Sequence, residues 1–499
     1  MNTIFVSVLS AVPPDLRGLF PETLLAISIL LACVLEWTTD TSNKRLVVWF
    51  AAISAAAALV LAWVSHLPEA GSGAVFAPDV LSQFVRLAVL IATIFVLMAL
   101  TGSKAMVGRA EQGEVAILVL SVALGAMLFA SATHLIAIYL SLEFLSLSSY
   151  GLAGFRARDE RASEAGLKYV LYGGVASAVA LYGISHLWGM AGTFDLQQMG
   201  VALSNLPLHL TLVPMVLFGV AFAFKLGLVP FHFWSPDVYQ GCPTVCAGFL
   251  STVPKTAAFA ALLKALMALL PWWGNLVTAS SLSGFIAGFA ILSIVVGAVT
   301  AGVQSDAKRL LAFSSTANAG IMLLAFSSWI TREAVASVGF YLMAYVSANL
   351  GAFLALDILE RTAGSTKLKS LAGSWSRHRF AVVSLAVCVF SLAGIPPLAG
   401  FAGKWAVLSE VVRASLEDGF GPIPLIGVGF ALFGSVALAG AYLKLLRATV
   451  VDDGSETKSN LGFKAGAFSE VPLFLCVVAS ILIGFGWPLL SVFRSRLGG

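Results

Sequence analysis

Val216-LFGVAFAFKLGLVPFHFW and Val383-SLAVCVFSLAGIPPLAGFAGKW are two long apolar runs, each holding one lysine beside a Gly-x-x-Pro interruption. In the first, Lys225 precedes Gly227 and Pro230; in the second, Lys404 follows Gly394 and Pro397. A lysine at the centre of a bilayer costs about 2.5–3.5 kcal/mol on insertion scales, and such residues mark ion or proton pathways. Broken helices in corresponding halves of a chain point to a transport site between repeats. Together the two stretches predict a protein that moves a small ion through a membrane.

Composition agrees. The chain has 499 residues, 59% hydrophobic and 11% charged, with mean hydropathy +0.94. Soluble proteins are about 45–50% apolar and about 25% charged. Apolar runs of the length a bilayer requires, roughly 20 residues, predict an all-α polytopic membrane protein. Fourteen spans are expected, starting near Leu19, Leu46, Val80, Val115, Leu135, Gly166 and Leu210, then near Val245, Leu282, Leu310, Ala334, Phe380, Leu425 and Val471. The first eighteen residues lack a basic n-region and an A-x-A site, and Pro13-Pro14-Asp15 interrupts them, so they read as an interfacial lead-in.

The five cysteines (Cys33, Cys242, Cys246, Cys388, Cys476) form no paired framework. Cys242-x-x-x-Cys246 has no His or Cys cluster nearby and reads as packing. A haem or iron–sulfur centre needs a ligand set that the chain does not offer. Electron transfer within this polypeptide is therefore not expected, and no basic tract suggests nucleic acid.

Loop charge orients the spans. Odd-numbered loops carry seventeen Lys and Arg, among them Lys44, Lys104, Arg109, Arg158, Lys308, Arg361, Lys458 and Lys464. The other face carries five: Arg17, Arg332, Arg413, Arg494 and Arg496. The positive-inside rule then places both termini on the non-cytoplasmic side.

Ionisable groups also fall inside the apolar runs. In span 5, Tyr139, Glu143, Ser146 and Tyr150 recur at helical spacing and form one polar stripe. Glu143 reads either as a proton-exchanging carboxylate or as a hydrogen-bonding group between helices. In span 8, Lys255 follows Pro254, with Ser251 and Thr252 one turn back; Lys264, nine residues on, faces the opposite way and is expected to snorkel beside Pro271-Trp272-Trp273. Lys225 is read as mid-span and Lys404 as nearer a span end; each is a transport lysine or a snorkelling lysine at a kink. His232, just after the first break, either relays protons or hydrogen-bonds the break. His134 and His186 read as interfacial, and Arg86, Glu22 and Asp357 as structural pairing or anchoring groups.

Phe224-KLGLVPFHFWSPDVYQG, Ser251-TVPK, Asp306-AKRLLAFSS and Gly394-IPPLAGFAGKW resemble the antiporter-like membrane subunits of respiratory complex I. Fourteen spans with lysine in the twelfth look most like the subunit N type of bacterial NADH:quinone oxidoreductase. The subunit M type has Glu at the Lys404 position, and the L type has a long lateral helix where this chain ends in Phe493-RSRLGG. The resemblance implies inverted five-helix repeats at 111–275 (spans 4–8) and 276–450 (spans 9–13), after a three-helix segment at 1–110 and before a loop and span 14 at 451–499. It implies that Glu143 couples with Lys225, that Lys255 is the connecting lysine of a central hydrophilic axis, and that Lys404 is the terminal one. Gly227 and Gly394 lie 167 residues apart but Lys225 and Lys404 lie 179 apart, so the lysines are not equivalent positions. Span 10 offers Ser314-Ser315-Thr316 and no counterpart of Glu143, which predicts chemically unequal halves.

The implied function is proton translocation in a bacterial inner membrane, driven by electron transfer from NADH to quinone in partner subunits. Those partners, an antiporter-like neighbour and small membrane subunits among them, are expected to carry or bind the NADH, FMN, iron–sulfur clusters and quinone. The rival reading is a subunit of an Mrp-type cation/proton antiporter, and a third is a structural scaffold.

Overall fold

An apolar run in a bilayer must satisfy its backbone polar groups internally, which leaves helices as the open choice here. The computed structural model describes residues 18–40, 43–65, 74–102, 111–156, 159–273, 276–327, 331–417, 422–451 and 466–486. The lead-in with Pro13-Pro14-Asp15, the loop cations Arg17, Lys104, Arg109, Arg158, Lys458 and Lys464, and the segment Phe493-RSRLGG with Arg494 and Arg496 lie outside the described residues.

Spans 1 to 6 are Phe20–Thr38, Arg45–Val64, Val80–Gly102, Gln112–Ser131, Leu135–Gly154 and Glu160–Ala191. Span 7 is interrupted, Leu208–Leu226 then Trp234–Gly241; span 8 is Thr244–Ala268. Spans 9 to 11 are Leu276–Val303, Ala307–Leu324 and Arg332–Ala363. Span 12 is interrupted again, Arg379–Ala393 then Ala399–Glu417; spans 13 and 14 are Pro422–Val450 and Ala467–Phe485. Among the described residues thirteen helices are each long and apolar enough to cross a membrane, and Arg379–Ala393 is a shorter apolar helix. Spans 4–8 and 9–13 are two five-helix sets, each with its interruption in the fourth place. Five is odd, so the second set starts from the opposite face and is inverted.

Local chemistry sets the ends. Asp159 and Asp306 side chains accept backbone N–H groups at the starts of spans 6 and 10. Span 6 therefore begins six residues before the apolar run that announced it, at polar Glu160; span 9 likewise starts at Leu276. The amphipathic helix Leu196–Ser204, capped by Asp195, lies between spans 6 and 7 and is not apolar enough to stand out from the loop in the sequence. Span 12 continues past its apolar run to Glu417, so Lys404 sits near the interruption, and the expectation that it lies nearer a span end is corrected.

Small residues let the helices approach. Gly154 of span 5 faces Gly166 of span 6, where an added Cβ would stand 3.2 Å from the neighbour's Cα. Gly297 of span 9 meets the backbone of span 10, its Cβ position 2.6 Å from Ala317 N. Loops of equal parity also meet. Bridges join Phe76 to Ala132 and His134 to Asp195 among the even loops, and Asp306 to Lys367 between odd loops 9 and 11. That is the pattern alternating spans require. Span 10 is buried along its whole apolar window and spans 8 and 11 at 94% and 89%, whereas spans 1, 13 and 14 bury 28%. Spans 8, 10 and 11 are the centre of the molecule.

Two loop cations prove to be interior. Lys308 and Arg361 are 4% and 6% exposed, because spans 10 and 11 carry them inward from their ends. Lys308 lies 3.7 Å from Glu360, and Arg361 pairs with Asp357 while reaching Ala99 O and Ser469 Oγ. Arg86 pairs with Glu22 at 2.6 Å. Arg86, Glu22 and Asp357 thus serve structural pairing. Lys264 donates to Ala77 O at 2.7 Å and lies 3.5 Å from Asp79, both just before the start of span 3.

Candidate functional site

The first break is built by glycine. Gly227, at φ 69°, stops the helix in the left-handed region, where an L side chain is strained. Leu228 N donates to Ala223 O at 2.9 Å and Gly227 N to Phe224 O at 3.0 Å, the paired bonds of a Schellman end. Trp234 Nε1 also donates to Phe224 O, and Val229 N to Ser293 Oγ, both at 3.0 Å. The interrupted backbone is therefore satisfied within protein, the condition for irregular chain at membrane depth.

Lys225 occupies the last turn before this break and is fully buried. Its Nζ donates to Ser146 Oγ at 3.1 Å and stands 5.7 Å over the Tyr169 ring, a cation–π distance. Glu143 lies one turn before Ser146 on the predicted stripe, half-buried, with Oε1 enclosed and without a hydrogen-bond partner. Glu143 and Lys225 form no contact ion pair among the described residues. Tyr150, further along the stripe, packs edge-on against Tyr169 at 4.7 Å.

Lys255 enters from span 8. It is 1% exposed and donates to Ser315 Oγ of span 10 at 2.6 Å. Its Nζ also stands beside the first break: a Cβ on Gly227 would lie 3.5 Å from it. Ser251 and Thr252 receive span 11. Asn349 Nδ2 donates to Ser251 Oγ at 2.6 Å and to Thr252 Oγ1 at 3.1 Å, and Tyr345 OH donates to Ser251 O at 3.1 Å.

Lys404, 5% exposed, donates to the helix-end carbonyls of Leu392 and Ala393 at 2.8 and 3.0 Å and to Ser435 Oγ at 3.2 Å. Between Lys255 and Lys404 lies a set of neutral polar groups. Asn318 Nδ2 donates to Ser314 O at 3.0 Å, and Tyr341 OH donates to Asn318 Oδ1 at 2.9 Å. The Tyr341 ring lies against Gly403, next to Lys404. Asn318, Tyr341, Tyr345 and Asn349 were not singled out from the sequence. An Asn at mid-span in 10 and again in 11, each costly to bury unpaired, was the available signal.

The three lysines differ from the other buried cations. Arg86, Lys308 and Arg361 each face a carboxylate, whereas Lys225, Lys255 and Lys404 are held by hydroxyl and carbonyl oxygens and an aromatic face. Such partners accept from an amine in either protonation state. His232 is 5% exposed and packs on Phe233 and Phe313, its ring centroid 4.4 and 6.2 Å from theirs. No side-chain hydrogen bond joins it to the lysines or Glu143 among the described residues. No group of three His, Cys, Asp or Glu suited to a metal occurs among them either.

Residues 132–420 match the family described as "NADH:quinone oxidoreductase/Mrp antiporter, TM". The NADH-quinone oxidoreductase subunit N of Anaeromyxobacter sp. (strain Fw109-5) is 34% identical over 521 aligned positions, covering 96% of each chain. A chain of respiratory complex I from Thermus thermophilus, solved with bound aureothin, superposes with a TM-score of 0.76 at 30% identity, over 93% of this chain and 97% of that one. A chain of the Mrp complex from Dietzia sp. DQ12-45-1b reaches a TM-score of 0.79 over 97% of each, at 20% identity, a likeness of fold alone. The fold, the lysines at its interrupted spans and the full-length likeness to subunit N agree: this chain belongs to the NADH-quinone oxidoreductase subunit N family, the proton-translocating, multi-pass membrane subunits of complex I.

Proposed function

We propose that Glu143, Lys225, Lys255 and Lys404 carry protons across the membrane in response to electron transfer in partner subunits. The observation that carries this reading is the contrast among buried cations: three lysines on spans 7, 8 and 12 have neutral partners while others have carboxylates. A buried charge without a counter-charge is costly, so each lysine is poised to give up or take a proton as its surroundings change. A charge change in a neighbouring subunit alters the field of Glu143 at Lys225. Lys225 then passes its proton toward Lys255, and onward past Ser315, Asn318 and Tyr341 toward Lys404. His232 is assigned no step, since no side-chain hydrogen bond joins it to these groups among the described residues.

Redox chemistry belongs to partners, which bring the NADH, FMN, iron–sulfur and quinone sites. The proposed neighbours are an antiporter-like subunit and small membrane subunits in a bacterial inner membrane. Both termini lie on the non-cytoplasmic side in this reading, and the repeats run 111–275 and 276–450, flanked by 1–110 and 451–499. The identity to subunit N over nearly the whole chain favours this assignment over an Mrp-type antiporter. A visible spectrum of the purified native assembly separates them, through flavin and iron–sulfur bands.

The direct test is Lys225→Ala and Glu143→Ala in assembled enzyme. Both are expected to lose proton pumping and to slow NADH oxidation. Unchanged pumping and oxidation in both variants would falsify the assignment.

A further inference from the structure

Spans 7, 8 and 9 enclose an apolar groove of about 280 Å³ that plays no part in the lysine route. Val216, Gly219, Leu266 and Phe289 line it, and Pro230 and Phe231 of the first break close one end. Trp272 and Trp273 complete the wall with their indole N–H groups bonded elsewhere, to Thr211 Oγ1 at 2.8 Å and to Leu266 O at 2.9 Å. A trapped water needs two to four polar partners, and this lining is almost wholly carbon. The groove is therefore no water site.

It is open on one side. Gly219 has no atom within 4 Å of its Cβ position, and Phe285 at the mouth is 43% exposed. Spans 7, 8 and 9 cross the bilayer, so the medium outside that mouth is hydrocarbon. We propose that the groove takes an acyl chain of a bilayer phospholipid, laid against the outer side of the span 7 break. The break then has two unlike faces. Lys255 stands at Gly227 on the inner one, and hydrocarbon fills the outer one, sealing the interruption against water from the lipid side. Binding of the acyl chain does not depend on which residues carry the protons.

The test uses the assembled complex in phosphatidylethanolamine vesicles with a trace of an analogue bearing a diazirine midway along one acyl chain. After irradiation, labelled peptides are expected to concentrate in residues 216–231 and 266–289. Gly219→Phe, filling the open space, lowers that labelling about tenfold, the scale of one well-filled apolar contact. Gly429→Phe in span 13, where the Cβ position is equally open, leaves it unchanged. Ala223→Trp fills the same groove if Gly219→Phe does not assemble. Labelling spread evenly over the lipid-facing spans of the unsubstituted enzyme overturns the proposal. So does labelling that survives both filling variants, a cross-link to a partner subunit in place of lipid, or displacement by a quinone with a long isoprenoid tail.

Discussion

The two interrupted spans have the same backbone and different chemistry. Gly394 ends its helix at φ 89° as Gly227 does at 69°, and Ile395 N to Phe390 O at 3.1 Å repeats Leu228 N to Ala223 O. Both following loops contain a cis X-Pro bond. Yet Lys225 sits one turn before its break, while Lys404 sits in the helix after its own and returns to donate to the carbonyls of that break. At the first break that vacancy is taken by a lysine of another helix, Lys255. The supporting spans differ in the same way. Pairing Ser146 with Ser315, the hydroxyls that hold Lys225 and Lys255, places Ala312 opposite Glu143. Repetition kept the hinge and let the charges move, so the second half has no carboxylate at the place Glu143 holds in the first.

The largest expected effect separates the lysines. Lys404→Met removes the donor from two helix-end carbonyls, each left unmet at about 1–3 kcal/mol, while Ser435 keeps its own bond to Ala431 O. Pumping and thermal stability of the purified complex should both fall. Lys225→Met strips the donor from one hydroxyl, so pumping should fall with a smaller drop in melting temperature. The reverse order of stability would break the comparison.

The hydroxyls sharpen it. Ser315→Ala leaves Lys255 without its one hydrogen bond to the protein among the described residues, a loss of about 1.5–3 kcal/mol for a bond to a charged group. Ser146→Ala leaves Lys225 its ring contact with Tyr169. Proton uptake by vesicles should therefore suffer more in Ser315→Ala.

The hinges come next. Alanine at either glycine meets the left-handed penalty of about 1–2 kcal/mol. Gly394→Ala also presses a Cβ to 3.0 Å from Lys404 Cδ, against 3.5 Å from Lys255 Nζ for Gly227→Ala. The melting temperature should be lower for Gly394→Ala, and equal values would remove the distinction. The smallest effect belongs to Glu417→Gln. Glu417 is exposed and pairs with Arg413 on its own helix, a surface contact worth about 0–1 kcal/mol. Neither pumping nor melting should shift measurably.

Much of this was legible in the chain. Lys225, Lys255 and Glu143 stand out because an ionisable group amid apolar residues has few inexpensive explanations, and the Gly-x-x-Pro spacing marks where helices must stop. Lys404 was misplaced because the apolar run ends just past it, although the helix goes on through Glu410 and Arg413. Lys308 and Arg361 looked like loop cations because nothing local reveals Glu360 or Asp357 waiting in the interior. Asn318, Tyr341, Tyr345 and Asn349 were passed over for a related reason. Uncharged polar residues are affordable on many helices, and only three-dimensional neighbours show which ones line a route.

The amine tip of Lys255 resting beside Gly227 makes two helices answerable to each other. Span 8 cannot turn about its axis without carrying that tip away from the hinge or from Ser315, and a methyl added at the hinge would rest in plain contact with it. Middle cation and first joint thus share a single point.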